Sequence, residues 1–460
     1  MIYYLAIDIG ASSGRHILAH IYNHQIEIEE VYRFKNNVEE KEGHFYWNID
    51  YLFEEIKKGI LECVKQNKAP KTIGIDTWAV DYALLDAQGK RLSDIHAYRD
   101  SRTQEVLKSF EREELYKKTG IQFQPFNTIY QLASEPELIK EQACDFLMVP
   151  DYLHYLLTGQ KVNEYTNMST TQLLDCQTSL LDQGLVDQTG CRADLFEKMV
   201  MPGTCIGPLT RELQEELGLK ADVVVPATHD TGSAYMAAIE KDSVILSSGT
   251  WSLLGIETLE PIVTKESREA NFTNEGGYDH RYRFLKNIMG LWIIQEIDRE
   301  FEGEYSFSGL VDLARTSHFE GLFDVNDERF LKPQNMMEEI MSYFAERGES
   351  VPQSIGELSY CIYHSLAHSY KEAIDELEKI TQKSYKVINI IGGGCQNELL
   401  NEMIAQVTGK KVVAGPIEAT ALGNILSQLI SDHQISDLLA GRDMIRQSFE
   451  IKEYGGKENE

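Results

Sequence analysis

The sequence predicts an α/β protein built from two related halves. Three observations carry that prediction. The chain opens with apolar strands separated by turns, and helical spacing follows only later, as crossovers between strands. A strand–turn–strand unit with Ser-Ser-Gly in its turn occurs twice, at Ser12-Ser13-Gly14 and at Ser247-Ser248-Gly249. At 460 residues, the chain is too long for one ordinary hydrophobic core.

The elements follow in order. Tyr3 to Ile9 is apolar and β-prone, Gly10 to Gly14 has turn chemistry, and Arg15 to Ile21 and Ile26 to Phe34 read as further strands. Tyr51 to Gln66 has helical spacing, and Thr72 to Ile75 is a strand ended by Asp76. Val223 to Val225 is a short buried strand running into Pro226 to Ser233, with a helix expected over Ala234 to Ile239. After the polar connector Glu240 to Ser243 the opening theme returns, as strands Val244 to Leu246 and Trp251 to Ile256 around Ser247 to Thr250. This sets expected domains at 1–243 and 244–450, with a polar tail over 451–460. In the second half, apolar residues from Leu358 to Leu377 keep helical spacing, and Val387 to Ile391 is a strand leading to Gly392-Gly393-Gly394. Asn397 caps a helix to Val407 that Gly409 ends, Val412-Val413 is a strand, and Ala419 to Ser431 is a helix.

Composition excludes several functions. A net charge of −29 lacks the basic footprint needed to bind duplex nucleic acid or an anionic membrane surface. An anionic substrate would need positive potential built locally against that field. Seven scattered cysteines without a Cys-x-x-Cys pair indicate neither a disulfide framework nor a zinc site. The N-terminus reads as a strand without the basic start of a secretion signal, and no apolar run reaches membrane-spanning length. A cytoplasmic location is expected.

Three turns offer places for phosphate. Gly10 to Arg15 supplies flexible backbone N–H groups, two hydroxyls and a guanidinium, and Asp8 at the preceding strand end could hold magnesium through water. A glycine–serine hairpin without any ligand would read the same way. Ser247 to Thr250 repeats the chemistry. Gly392-Gly393-Gly394 lies between strand and helix, but Asn397 stands where the dinucleotide fingerprint needs glycine, and no acidic residue follows to hold a ribose. A P-loop and the protein-kinase motifs are absent.

Asp230 is the candidate catalytic base. It follows a buried strand and opens a helix, whose dipole would favour the anion, and a weak base suffices for phosphoryl transfer. Capping the helix is the competing role, since aspartate is a favoured cap. Asp76 and Asp81 could border a sugar or serve as turn residues. Arg99, Asp100 and Arg102 are expected to form local ion pairs. His364 and His368 stand at i, i+4, but Ser365 replaces the glutamate a zinc motif needs, so a metal is not expected there. Trp78, Trp251 and Trp292 are expected in a core or cleft wall, and Cys395 buried and inert.

Taken in order, these stretches resemble the FGGY carbohydrate kinases. The resemblance rests on Ala6 to Arg15, Gly74 to Asp81, Tyr98 to Thr103, Gly120 to Thr128, Pro150 to Tyr152 and Glu164 to Asn167. It continues through His229-Asp230-Thr231, Leu246 to Gly255, Thr273 to Gly277, Lys286 to Trp292, Gly392 to Asn397 and Gly415-Pro416. It implies a two-domain actin-like ATPase (ribonuclease H-like) fold with the active site in the interdomain cleft. It also implies ATP as co-substrate, Mg2+, and phosphorylation of the ketose L-rhamnulose at its C1 hydroxyl, with fuculose or xylulose as the nearest alternatives. A chaperone-like actin-fold ATPase is the rival of another class, and the peptide-binding segment it would need is not read here. Carried over by motif, Ala11, Ser12, Ser13, Gly14 and Arg15 would hold ATP phosphates, and Thr250, Gln295 and Gly393 would contact the nucleotide. Ala79, His229, Asp230, Thr231 and Asn287 would line the sugar, with Asp230 accepting the proton; at Ala79 the related sequences carry glycine. No oligomeric state is implied.

Overall fold

The computed structural model describes residues 1–301 and 303–455. The last residues of the expected tail, 456–460, lie outside the described residues. The described chain forms two compact units, each assembled from separated segments.

The first unit comprises Met1–Ala237, Glu257–Phe284 and Ala419–Ser448. Its sheet runs Thr204–Pro208, Asp222–Val225, Pro70–Thr77, Tyr3–Ile9, Ser13–Tyr22, Gln25–Lys35. Tyr3–Ile9 pairs antiparallel with Ser13–Tyr22 and parallel with Pro70–Thr77, which in turn pairs parallel with Asp222–Val225. The central strands are apolar on both faces because helices cover both, as parallel sheets require. Ile49–Lys65 is one such helix; its buried Leu52, Ile56 and Ile60 join Leu5, Ile7, Ile73 and Ile75 in one core cluster. Ala419–Ser431 is another, buried along nearly its whole length. Its Gln428 donates to the Leu5 carbonyl at 3.0 Å and accepts from Thr72 Oγ1 at 2.6 Å, and its Asn424 donates to the Gly74 carbonyl at 3.1 Å.

The second unit comprises Ala238–Ile256, Leu285–Glu418 and the described residues from Phe449 onward. Strands Tyr282–Met289, Trp251–Thr258, Val244–Ser248, Val387–Ile391, Lys411–Ala414 and Lys452–Tyr454 neighbour one another in that order. Val244–Ser248 pairs antiparallel with Trp251–Thr258 and parallel with Val387–Ile391, and Lys452–Tyr454 closes the edge antiparallel. The first unit has the same sequence of pairings: a hairpin, two parallel crossovers, an antiparallel edge. Lys452–Tyr454 therefore gives part of the polar tail a structural role.

The elements expected from the sequence form within a few residues of their expected bounds. The helix expected over Ala234 to Ile239 instead spans Asp230–Met236. It packs closely against Ala419–Ser431: a methyl added at Gly423 would lie 1.8 Å from the Ser233 carbonyl oxygen.

Candidate active site

Three aspartates converge where the central strands of the first unit end. Asp8 and Asp76 are register partners on parallel strands. Thr77 forms a bridge with His229, and its N–H donates to the Thr228 carbonyl at 2.9 Å, which brings the His229–Asp230 turn alongside. In open α/β sheets this end of the strands is where ligands bind.

Asp230 is the first residue of its helix, and His229 occupies the cap position without a side-chain capping bond. The expected alternative of a capping aspartate is therefore not what its carboxylate does. Oδ1 accepts from the N–H and hydroxyl of Thr231, at 2.5 and 3.1 Å, while Oδ2 takes no hydrogen bond among the described residues. A third of the side chain remains exposed. The helix end was expected to hold Asp230 as the anion. Burial is the larger effect and raises its pKa, opposed by His229 and reinforced by the Asp8 charge.

His229 is oriented from behind. Arg283 is 1% exposed, and its Nη2 can only donate, so Nδ1 of neutral His229 accepts from it at 3.0 Å. That assigns the ring proton to Nε2, which lies 3.4 Å from Asp230 Oδ1. Glu275 sits 3.3 Å from the same Nδ1 and 3.1 Å from Arg283 Nη1. Burial alone would raise the Glu275 pKa, but the Arg283 charge holds it below the usual range. Arg283 belongs to no motif read from the sequence, because only the fold carries it to His229.

Glu164 organises the turn from another side. Its carboxylate accepts from the N–H groups of Thr166, Asn167 and Thr228 and from the hydroxyls of Thr166 and Thr228. This explains why the Glu164 to Asn167 stretch accompanies His229-Asp230-Thr231. Ala79 lies in the bend after Thr77. The next residue, Val80, has φ of 68°, a costly conformation for a β-branched side chain. Thr128 and Gln131 hold it there by donating to its carbonyl, at 2.7 and 3.3 Å. Asp81 does not face a ligand: it accepts from Trp47 and Trp78 Nε1, the Tyr98 N–H and Gln131, and burial lifts its pKa to about 6.

Gly10 to Arg15 is a tight hairpin. Gly10 N–H donates to the Ser13 carbonyl at 2.9 Å, and Asn36 closes the turn from outside, donating to the carbonyls of Ser12 and Gly10 at 2.9 and 2.8 Å. Gly14 is required by packing, since a Cβ there would come within 2.1 Å of the Phe34 ring. Ala11, Ser12 and Ser13 remain at least partly exposed. Arg15 is bonded to Asp8 at 2.7 Å, as their cross-strand register dictates. The expected pairing of Arg102 within Arg99 to Arg102 is corrected: its guanidinium bonds Glu135 at 2.7 Å, because Tyr82, Gln131 and Glu135 surround it.

The second unit carries the remaining residues. Thr250 Oγ1 donates to Gln295 Oε1 at 3.2 Å, so two of the expected nucleotide contacts meet. The Thr250 and Gly249 carbonyls accept from Trp292 and Leu291 N–H groups. Gly392 has φ of 82°, and a Cβ at Gly394 would lie 2.1 Å from Ser248 Oγ, so the glycine turn sits directly on the second Ser-Ser-Gly loop. Gly393 faces open space. Asn287 is on Tyr282–Met289, with Oδ1 buried and unbonded. Trp251 is 42% exposed, which excludes the core of the two places expected for it, core or cleft wall. Cys395 is buried with its thiol pushed up to about 12, which leaves it inert.

Asp8 and Asp76, register partners on parallel strands, offer the oxygen donors that a hard cation takes. Asp76 is fully buried, Oδ2 accepts from Asn424 at 2.7 Å, and Oδ1 has no hydrogen-bond partner. Burial and the nearby Asp8 charge push its pKa well up. Carboxylate oxygen matches magnesium better than a softer metal.

Comparison with known proteins shows the family. Residues 3–237 match the N-terminal domain, and 244–431 the C-terminal domain, of the FGGY family of carbohydrate kinases. The chain is 48% identical to the rhamnulokinase of Halalkalibacterium halodurans, covering 100% of both chains. It is 49% identical to that of Oceanobacillus iheyensis, over 98% of this chain and 97% of the relative. Against that of Bacillus subtilis it is 43% identical, over 99% and 96%. Among solved structures, a xylulose kinase from Lactobacillus acidophilus superposes with a TM-score of 0.82 at 16% identity, covering 99% and 94%. A Plasmodium falciparum glycerol kinase with ADP gives 0.80 at 16%, also over 99% and 94%. Both are similar in fold, the two-domain α/β architecture of these kinases. No described helix is long and apolar enough to cross a membrane.

Proposed function

The chain belongs to the FGGY family of carbohydrate kinases, and from that premise we propose that it transfers the γ-phosphoryl group of ATP to the C1 hydroxyl of L-rhamnulose. The products are L-rhamnulose 1-phosphate and ADP. The sugar is the one named by relatives at 43–49% identity over almost their whole length, which disfavours fuculose or xylulose. The reaction runs in L-rhamnose breakdown, in the cytoplasm.

One observation carries the chemistry: Asp230 offers a partly exposed carboxylate with an unbonded oxygen at the end of the central strands, beside His229. Asp230 Oδ2 accepts the C1 proton as the hydroxyl oxygen bonds the γ-phosphorus and the bond to the β-phosphate bridge oxygen breaks. Thr231 fixes the other carboxylate oxygen. His229, with its proton on Nε2, donates toward Asp230 and the sugar, and Ala79, Thr231 and Asn287 border the ketose. Ala11 to Arg15 take the phosphates, while Thr250, Gln295 and Gly393 take the nucleotide. This assigns phosphate binding and every sugar-lining residue but Asn287 to 1–243, and nucleotide binding to 244–450. Asp8, through water, and Asp76 would hold magnesium, which when bound neutralises phosphate charge.

ADP release measured against a panel of ketoses and aldoses tests the reading. L-Rhamnulose should be turned over fastest, and Asp230→Asn should lose transfer by at least about 10³-fold while still binding ATP. Near-normal turnover in that variant would remove Asp230 as the base, and ATP hydrolysis indifferent to any sugar would overturn the kinase assignment.

A further inference from the structure

We propose that His44, His96 and Asp100 form a binding site for a divalent transition-metal ion, separate from the sugar and phosphate groups described above. One ligand atom from each of the three residues lies within 4.8 Å of the others.

The backbone builds the site. His44–Trp47 pairs antiparallel with Ile95–His96, with Tyr46 opposite His96. Side chains alternate faces along a strand, so His44, Tyr46 and His96 share one face, with His44 diagonal to His96. The chain then turns back through the bond from Asp100 N–H to the Ala97 carbonyl, at 2.8 Å. This sets the Asp100 carboxylate against His44, where Nδ1 is 3.0 Å from Oδ2 and 3.1 Å from Oδ1.

Each donor is prepared for a ligand role. Asp100 is 7% exposed and fixed by the N–H groups of Phe45 and Arg102, both at 2.9 Å. Such outer bonds orient a metal-binding carboxylate. The His96 ring is held 4.5 Å from Tyr46 and edge-on to His44 at 5.7 Å, yet its nitrogens make no hydrogen bond among the described residues. His96 also lines an open surface cleft with Lys41, Tyr46 and Asp94, which leaves a path for ion and water. The nearest cations are engaged elsewhere, Lys41 with Asp94 and Arg102 with Glu135.

Ligand atoms on one tetrahedral ion stand about 3.4 Å apart, given bonds of about 2.0–2.2 Å. The donors, within 4.8 Å of one another, therefore need to close by up to about 1.4 Å. His44, 44% exposed, is free to make that adjustment. The ion would take the place of the hydrogen that His44 Nδ1 shares with Asp100, and the single ring proton of His44 would move to Nε2. Two imidazoles and one carboxylate select zinc, cobalt, nickel or copper over magnesium. The ion would fasten Val38–Trp47 to the segment ending at Asp100.

Cobalt(II) binding to the full, tag-free chain without nucleotide tests the proposal. Equilibrium dialysis should give one ion per chain, with visible d–d bands that zinc abolishes, and zinc should raise Tm. His96→Gln should lose the ion and the Tm shift while keeping sugar-dependent ADP release, and His44→Gln should do the same. The His96 ring forms no hydrogen bond among the described residues, so its variant should fold normally. The proposal falls if His96→Gln binds cobalt as the parent does. It also falls if Cys205→Ser, which removes an exposed thiol, abolishes binding instead, or if the parent takes up no ion.

Discussion

At the scale of single residues, burial rather than sequence neighbourhood decides the chemistry. Asp230 was legible as a strand-end carboxylate, but its ionisation is set by surrounding protein atoms and by Asp8. A base with a raised pKa loses its anionic form at a higher pH than an ordinary aspartate. The acid limb of kcat/KM for sugar should therefore fall clearly above the ordinary aspartate value of about 3.9. A limb at that ordinary value in a pH-rate profile would contradict the assignment. Asp76 makes the linkage explicit. Its pKa is raised in the folded state, so the fold binds this proton more tightly than the unfolded chain. The stabilisation is complete below the unfolded value of about 3.9 and is lost as pH rises toward the folded one. Asp76→Asn should keep or increase stability near neutral pH and flatten its pH dependence, while reducing turnover. Urea unfolding from pH 5 to 8 checks this, and a large stability loss at pH 7 would mean that Asp76 is held charged.

At the scale of elements, close approach of backbones positions the candidate base. Helix Asp230–Met236 meets Ala419–Ser431 at Gly423, where an added methyl has no room against a carbonyl oxygen. Backbone cannot swing aside as a side chain can. Gly423→Ala should therefore cost at least the about 1–3 kcal/mol typical of overpacking, and should lower kcat through displacement of Asp230. Urea denaturation and ADP release together test it, and full activity with unchanged stability would show that the two helices slide freely. Gly14 teaches a related lesson. Read along the chain it belonged to a phosphate turn, yet its missing side chain is demanded by Phe34.

At the scale of the whole molecule, the compact units do not follow chain order. The first unit includes Glu257–Phe284 and Ala419–Ser448 as well as the N-terminal half. These segments supply Arg283 to His229, Asn424 to Asp76, and Arg442, which bonds Glu257 at 2.9 Å through Nη1 and 2.8 Å through Nη2. A fragment spanning 1–243 would expose the sheet face that Ala419–Ser431 covers. It should be insoluble or molten by near-ultraviolet circular dichroism, and co-expression with 244–460 should recover folded protein. A cooperatively folded 1–243 fragment would show that the later segments are dispensable.

The sequence by itself determined the local features: strand and helix positions, the repeated Ser-Ser-Gly hairpins, the α/β class and the motif order that marks the family. These follow from side-chain period, turn residues and composition, which act over a few neighbours. Only the tertiary structure decided which distant side chains meet. Arg283, Asn36 and Asn424 carry no local signal, because each acts on residues far away in the chain. The same holds for Arg102, drawn from its sequence neighbours to Glu135, and for His44, His96 and Asp100, gathered by strand register. Asp230 stands between the two. Its place at a strand end was readable, but its free oxygen, its partner His229 and its raised pKa are products of the fold, since burial and long-range contact have no counterpart in an unfolded chain.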